Sequence, residues 1–237
     1  MLEKFVLDTV VSSSDVGFNG KMGVADLLET LQYAVTLHTE QLGVAYDRVL
    51  EKYNAKWVIA KIRLEFSDFP KNKDRIQVQT WPHKAGAIKF GRSFLLTGEK
   101  DYAVGYSDWC VIDADTFQMK RAREIEFPDL DYIEDKPCSK YSNAKPSEST
   151  FVYSRTMRVS DLDINNHVNN VSYVRMAMDC LSSDEISKTE IRSFEAHFTS
   201  QCFEGETLSF YREDRDGMIF ITAKKEDENV FVAIINS

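Results

Sequence analysis

Two amphipathic helices, each followed by a run of short strands, divide this chain into similar halves. That doubled order is the strongest constraint on its fold. In the first half Leu27, Leu28, Leu31, Ala34, Val35 and Leu42 fall at helical spacing over about Val24 to Gln41. Gly43 then supplies a residue suited to the left-handed end of such a helix. In the second half Val168, Val171, Val174, Met178 and Leu181 make the stripe of a helix from about His167 to Leu181.

Strands follow each helix. From Trp57 to Phe66 the even positions Val58, Ala60, Ile62, Leu64 and Phe66 are apolar, while the odd set carries Lys61, Arg63 and Glu65. That alternation predicts a strand with one buried face. Arg75–Trp81, Phe90–Thr97 and Tyr102–Asp113 read as further strands. In the second half the candidates are Phe151–Val159, Ile191–Cys202, Thr207–Arg212, Met218–Lys224 and Val230–Ile235.

The segment before each helix repeats as well. Asp15-Val16-Gly17-Phe18-Asn19-Gly20-Lys21 aligns without gaps on Asp161-Leu162-Asp163-Ile164-Asn165-Asn166-His167. Asp and Asn coincide, and Gly17 and Lys21 stand where the second copy has Asp163 and His167. The predicted fold class is α+β, a double hot-dog: each helix is wrapped by its own antiparallel sheet, and the two sheets pair edge to edge. Each half then buries a helix an open sheet would leave exposed, and edge strands gain partners. Residues 1–127 form the expected N-terminal unit and 151–237 the C-terminal one. Residues 128–150, with Pro128, Pro137 and Pro146 and no periodicity, are the expected linker.

The run from Asp161 to Asn170 carries the chemistry. Asp163, Asn165 and His167 set a carboxylate, an amide and an imidazole at alternate positions beside a helix start. Free N–H groups and a positive dipole at such an end suit a developing oxyanion. Asp and Asn are also favoured capping and turn residues, which explains any one of the three alone. The three together, backed by Asn169 and Asn170, point to acid–base chemistry.

Composition narrows the classes. A net charge of −9 argues against general nucleic-acid binding. Lys71-Asn72-Lys73-Asp74-Arg75 and Lys120-Arg121-Ala122-Arg123 are local basic exceptions. No apolar stretch reaches the ~20 residues of a membrane helix. The early charges Glu3, Lys4 and Asp8 suit neither a signal nor a transit peptide, so a cytoplasmic location is expected. Cys110, Cys138, Cys180 and Cys202 form no C-x-x-C pair, so neither a zinc site nor a disulfide framework is expected. Cys110 and Cys180 read as packing residues, and Cys138 as incidental to a polar linker. His38 reads as a helix packing residue, His83 as a turn residue and His197 as a satisfied strand histidine.

With these residues in view the chain resembles the acyl-[acyl-carrier-protein] thioesterases, a family of plant plastid enzymes and shorter bacterial relatives. The stretch Asp161–Asn170, continuing into Val171-Ser172-Tyr173-Val174, carries most of the likeness. Met22–Gly43, Trp57–Phe66 and Ser107–Arg123 extend it into the first half. The resemblance implies hydrolysis of the thioester between a fatty acyl chain and the phosphopantetheine arm of acyl carrier protein, ending chain elongation, with no metal or organic cofactor. Without a transit peptide, a bacterial member is expected.

The resemblance implies catalytic roles at Asp163, Asn165 and His167, and at a glutamate followed by a cysteine on a later strand. Here that pair is Gln201-Cys202. A glutamine donates and accepts hydrogen bonds but is no general base. It can orient a water, or Glu195 or Glu204 takes the part. On a regular strand Gln201 shares a face with Glu195 and His197, and Cys202 shares the apolar face of Phe194, Ala196 and Phe198. Cys202 is therefore either a nucleophile or a buried small hydrophobe.

Two mechanisms stand at this point. Cys202 attacks with His167 as base and Asn165 orienting it. Or water attacks, with His167 or Asp163 as base and Asn165 and Gln201 positioning the reactants. Leu27, Leu28, Leu31, Ile62, Leu64 and Phe66 line an acyl tunnel or are plain core. Lys120, Arg121 and Arg123 are the candidate docking site for an acidic carrier protein, and a homodimer is possible. The rival readings are an acyl-CoA thioesterase, a hot-dog dehydratase or hydratase, and a non-catalytic acyl-binding module.

Overall fold

Ten strands form one antiparallel sheet in the computed structural model, which describes residues 3–237. Met1 and Leu2 of the expected N-terminal unit lie outside the described residues. The first half runs β1 (Phe5–Val10), α1 (Val24–Gln41), α2 (Tyr46–Tyr53), β2 (Ala55–Phe66), β3 (Arg75–Pro82), β4 (Phe90–Thr97) and β5 (Asp101–Asp113). The second runs β6 (Thr150–Thr156), α3 (Asn170–Met178), α4 (Ser183–Lys188), β7 (Ser193–Phe198), β8 (Thr207–Arg215), β9 (Met218–Lys225) and β10 (Glu228–Asn236). The strand order β1-β3-β4-β5-β2-β7-β10-β9-β8-β6 reads the same pattern outward from the central β2–β7 pair. Each half is thus the pseudo-twofold image of the other.

Helix α1 keeps the predicted bounds because its apolar stripe and its stop signal agree. Leu27, Leu28 and Leu31 are each at most 2% exposed, worth about 1.5–3 kcal/mol apiece in transfer terms. At its end Gly43, at φ 70°, donates to Glu40 O, and Val44 donates to Thr39 O, which satisfies carbonyls the helix leaves open. Helix α3 is shorter than the periodicity predicts. It starts at Asn170 because Asn169 caps it, its side chain accepting from Val171 N at 2.9 Å. Helix α2, too short to show a clear apolar period, has no counterpart in the sequence reading.

The two long helices lie side by side, Arg175 of α3 donating to Asp26 (3.1 Å) and Glu29 (2.6 Å) of α1. Their apolar faces share one core with Ile62, Leu64, Phe194 and Ala196. Residues 128–149 hold no strand or helix, and they are packed against the sheet rather than loose. Leu130 and Cys138 are buried, Trp81 Nε1 donates to Asp135 O, and Tyr141 lies over Lys61 and beside His197. Cys138 is therefore a buried packing residue, not an incidental one. His83 is buried as well, bonded to Ser93 Oγ at 2.7 Å.

Beneath this strap sits a buried ionic cluster. Arg63 of β2 pairs with Glu195 of β7 at 3.0 Å, directly across the seam between the halves. Glu195, almost wholly buried, also accepts from Ser142 N (2.8 Å) and His197 Nε2 (2.6 Å). Burial pushes its carboxyl up, and the bonds from His197, Ser142 and Arg63 outweigh that and hold it below the usual range. Removing one partner of such a pair leaves an uncompensated charge. Arg63→Leu is expected to lower unfolding free energy by about 3–5 kcal/mol in denaturant titration. Arg63→Lys, which keeps the charge, is expected to lose less.

Candidate active site

The turn before α3 is built on Asp163. Its Oδ1 accepts from Asn165 N (2.8 Å) and His167 N (3.2 Å), and its N–H donates to His167 O (2.8 Å). Asn166 closes the loop at φ 59°, a region Asn tolerates better than most residues. The capping reading of Asp163 thus holds in part: one oxygen builds the turn. The other accepts from Asn165 Nδ2 at 3.3 Å.

The first half repeats this turn. Gly17 N–H donates to Lys21 O at 2.9 Å, Gly20 stands at φ 72° where Asn166 stands in the second copy, and isolated bridges Val16–Met22 and Leu162–Val168 coincide. The seven-residue match in sequence is therefore a match in structure. In place of the imidazole the first copy carries Lys21, paired with Asp68 at 3.0 Å.

His167 is 8% exposed and sits between two phenyl rings. Phe203 is 4.9 Å away by centroids, and Phe117 meets the ring edge-on at 6.1 Å. Its Nε2 is buried with no hydrogen-bond partner, and so is Asn165 Oδ1. Native proteins rarely leave buried polar atoms unpaired, and those they leave call for an explanation. Burial holds the His167 pKa below its ordinary value, Asp163 opposes that and Lys56 adds to it. The ring is a neutral base at neutral pH.

Next to the turn a cavity of about 240 Å³ runs under α1. Asp163, Asn169 and Asn170 line it from the second half, and Val35, Trp57, Phe90, Trp109 and Phe127 give it apolar walls. Its lining crosses β2, β5, β4 and β3 in sheet order, away from the seam. Arg92 lies on that far side, donating to His38 Nδ1 (3.0 Å) and Thr80 Oγ1 (3.2 Å), and burial pulls it down to about 9. The proposed tunnel residues Leu27, Leu28, Leu31, Ile62, Leu64 and Phe66 belong instead to the packed core. Before them on β2 lies a β-bulge at Ala60, where Ile59 pairs with Trp109 and Lys61 with Asp108. The bulge reverses the facing of β2, so Trp57, not Val58, meets the cavity.

Gln201 and Cys202 do not lie on a strand. β7 ends at Phe198 and both residues fall in the following loop, so strand alternation does not govern them. Cys202 is wholly buried in the core, and burial pushes its thiol up, opposed by the Tyr173 hydroxyl. Among the described residues no hydrogen bond joins it to His167. Its carbonyl accepts from Val168 N at 2.8 Å, as Pro70 O accepts from Met22 N (2.7 Å) in the first half. Glu195, held in the cluster under the strap, is not at this site, and His197 is its partner. Of the basic residues, Lys120 is paired with Asp113 at 3.0 Å, whereas Arg121 and Arg123 are exposed. Among the described residues no cluster of His, Cys, Asp and Glu could hold a metal, and no helix is long and apolar enough to cross a membrane.

Residues 3–126 match the model of the acyl-ACP thioesterase N-terminal domain and residues 144–234 that of the C-terminal domain. The chain belongs to the acyl-ACP thioesterase family. It is 24% identical over 226 residues to the chloroplastic oleoyl-acyl carrier protein thioesterase 2 of Arabidopsis thaliana, covering 84% of this chain and 59% of that protein. It therefore spans about three fifths of the length of that curated relative. An acyl-ACP thioesterase from Bacteroides thetaiotaomicron superposes with a TM-score of 0.90 at 24% identity, over 99% of this chain and 97% of that one. The 12:0-ACP thioesterase from Umbellularia californica gives 0.86 at 19%, over 100% and 97%. These likenesses establish the double hot-dog fold.

The surroundings of His167 set a titration that can be observed directly. Its ring proton resonances are expected to titrate below pH 6.5 in NMR. Lys56→Gln, which removes a repelling charge, is expected to move that titration upward, and Asp163→Asn, which removes an attracting one, downward.

Proposed function

We propose that this chain hydrolyses the thioester of a fatty acyl chain carried on acyl carrier protein, releasing the fatty acid and the carrier thiol. The observation that carries the reading is the pair of buried, unpartnered atoms His167 Nε2 and Asn165 Oδ1 beside the Asp163-lined mouth of an apolar cavity. Family membership supports the substrate class. At about 240 Å³ the cavity exceeds the ~150 Å³ that accommodates benzene, so it takes an acyl segment longer than a few carbons.

In the proposed reaction the acyl chain occupies the cavity and the thioester carbonyl lies at its mouth. Asn165 Oδ1 and Gln201 orient a water, and His167 Nε2 takes its proton as the oxygen adds to the carbonyl carbon. The first N–H of α3, at Asn170, has no acceptor within the helix and faces the developing oxyanion. When the tetrahedral species collapses, the C–S bond breaks and the imidazolium returns the proton to the departing sulfur. Cys202 packs the core and shapes the loop, so the water route is favoured over a cysteine nucleophile. Arg121 and Arg123 offer positive charge to an acidic carrier protein.

The test is thiol release from acyl carrier protein loaded with medium and long acyl chains. His167→Ala is expected to lose about 10²–10⁴-fold in turnover, and Cys202→Ala to keep most of it. Because His167 acts as a base with a depressed pKa, kcat/KM should rise with pH and be half-maximal below pH 6.5. Collapse in a folded Cys202→Ala would restore the cysteine mechanism. No turnover of carrier-linked or CoA-linked chains by wild type would overturn the proposal.

A further inference from the structure

His167 Nε2, the atom the proposed chemistry requires, is closed off from solvent, and the residue as a whole is only 8% exposed. Two rings contributed by different halves pack against the imidazole. Phe203 comes from the loop after β7, and Phe117 from the hairpin tip after β5. Both rings keep much of their surface in water, 42% and 48% exposed, so neither is held there by full burial in a core. Phe117 also sits at φ 57°. For a bulky residue that is an outlier, and strain of this kind persists where the surroundings impose it. Its tip is fastened from below: Asp113 Oδ1 accepts from Asp115 N, Thr116 N and Thr116 Oγ1, and Phe117 N donates to Asp113 O. The hairpin thus has a firm base and presents one ring edge to the imidazole.

We propose that Phe117 and Phe203 are positioning residues that form a gate over His167, and that the thioester arm reaches Nε2 by parting them. The inference deepens the reading given under Proposed function and rests on it. The gate places the entry between the 114–118 tip of the first half and the 199–206 loop of the second. The apolar cavity reaches the same turn at Asp163. A slender, uncharged arm such as the pantetheine thioester fits between two phenyl rings and gains apolar contacts there that water does not. Closed, the rings keep the base neutral and dry. Open, they hold the arm against it.

Access to His167 can be measured without any substrate. Diethyl pyrocarbonate acylates accessible histidine rings, and mass spectrometry of the digested protein resolves His167 from the buried His38 and His83, which serve as internal references. In wild type His167 is expected to react slowly. Phe117→Ala and Phe203→Ala are expected to speed its modification by about tenfold or more, as for loss of a local closed state, with His38 and His83 unchanged. Phe117→Leu, which keeps an apolar cover, should stay near wild type. In steady state, Phe117→Ala should raise KM for the carrier-linked substrate more than it lowers kcat. Should Phe117→Ala not fold, Phe203→Leu and Phe203→Ala carry the same comparison. Rapid modification of His167 in wild type, or no acceleration in the folded alanine variants, would overturn the gate. These rates stand even if no thioester is hydrolysed, so failure of the gate and failure of the hydrolase reading are told apart.

Discussion

The antiparallel pairing of β2 with β7 is the constraint on which the rest of the structure depends. It joins two five-stranded units at their inner edges and sets their pseudo-twofold relation. Because both helices cover the same face of the joined sheet, α1 and α3 are brought into contact. The cavity, walled mainly by the first half, then opens beside a turn owned by the second. The opposite face of the seam bears the cost: Arg63 and Glu195 meet there with little water, and the strap supplies one backbone donor, Ser142 N, to Glu195. Neither half alone presents the cavity, the histidine and its two-ring cover together.

The turn before each helix shows how chemistry is placed on a structural motif. Both copies use the same backbone bonds, the same left-handed residue and the same return bridge. In the first copy Lys21 is neutralised by Asp68, and in the second the corresponding imidazole keeps one nitrogen unspent. The shared geometry accounts for Asp161 and Asp15, which hold equivalent bonds to Arg158 N and Ser12 N. It does not account for the buried, unpartnered Asn165 Oδ1 and His167 Nε2, and that remainder is what makes this turn the candidate site.

Much of this was legible in the residues. The periodicity located α1 to the residue, and the repeat before the helices proved to be a repeat of hydrogen bonds. The misreadings have local physical causes. Alternation along β2 runs through a bulge at Ala60 that leaves no trace in the pattern, so the sequence does not point to Trp57 as a cavity wall. The alternation that ends at Phe198 extends on paper through Thr199-Ser200-Gln201-Cys202, but the chain turns away there and Cys202 O meets Val168 N. The two phenylalanines over His167 lie 86 positions apart in the chain, the distance between Phe117 and Phe203, and nothing in either neighbourhood announces the other.

The bulge has a wider meaning for how this cavity can change. Facing along β2 is a matter of phase: each residue before Ala60 owes its side to that one extra position. Loss of a single residue there would turn Lys56 and Val58 inward and Trp57 outward without altering any side chain. The shape of the cavity is therefore exposed to single-residue insertions and deletions in a way that ordinary point substitution does not reproduce. Length variation at this strand, rather than side-chain exchange alone, is the coarse control on what the cavity admits.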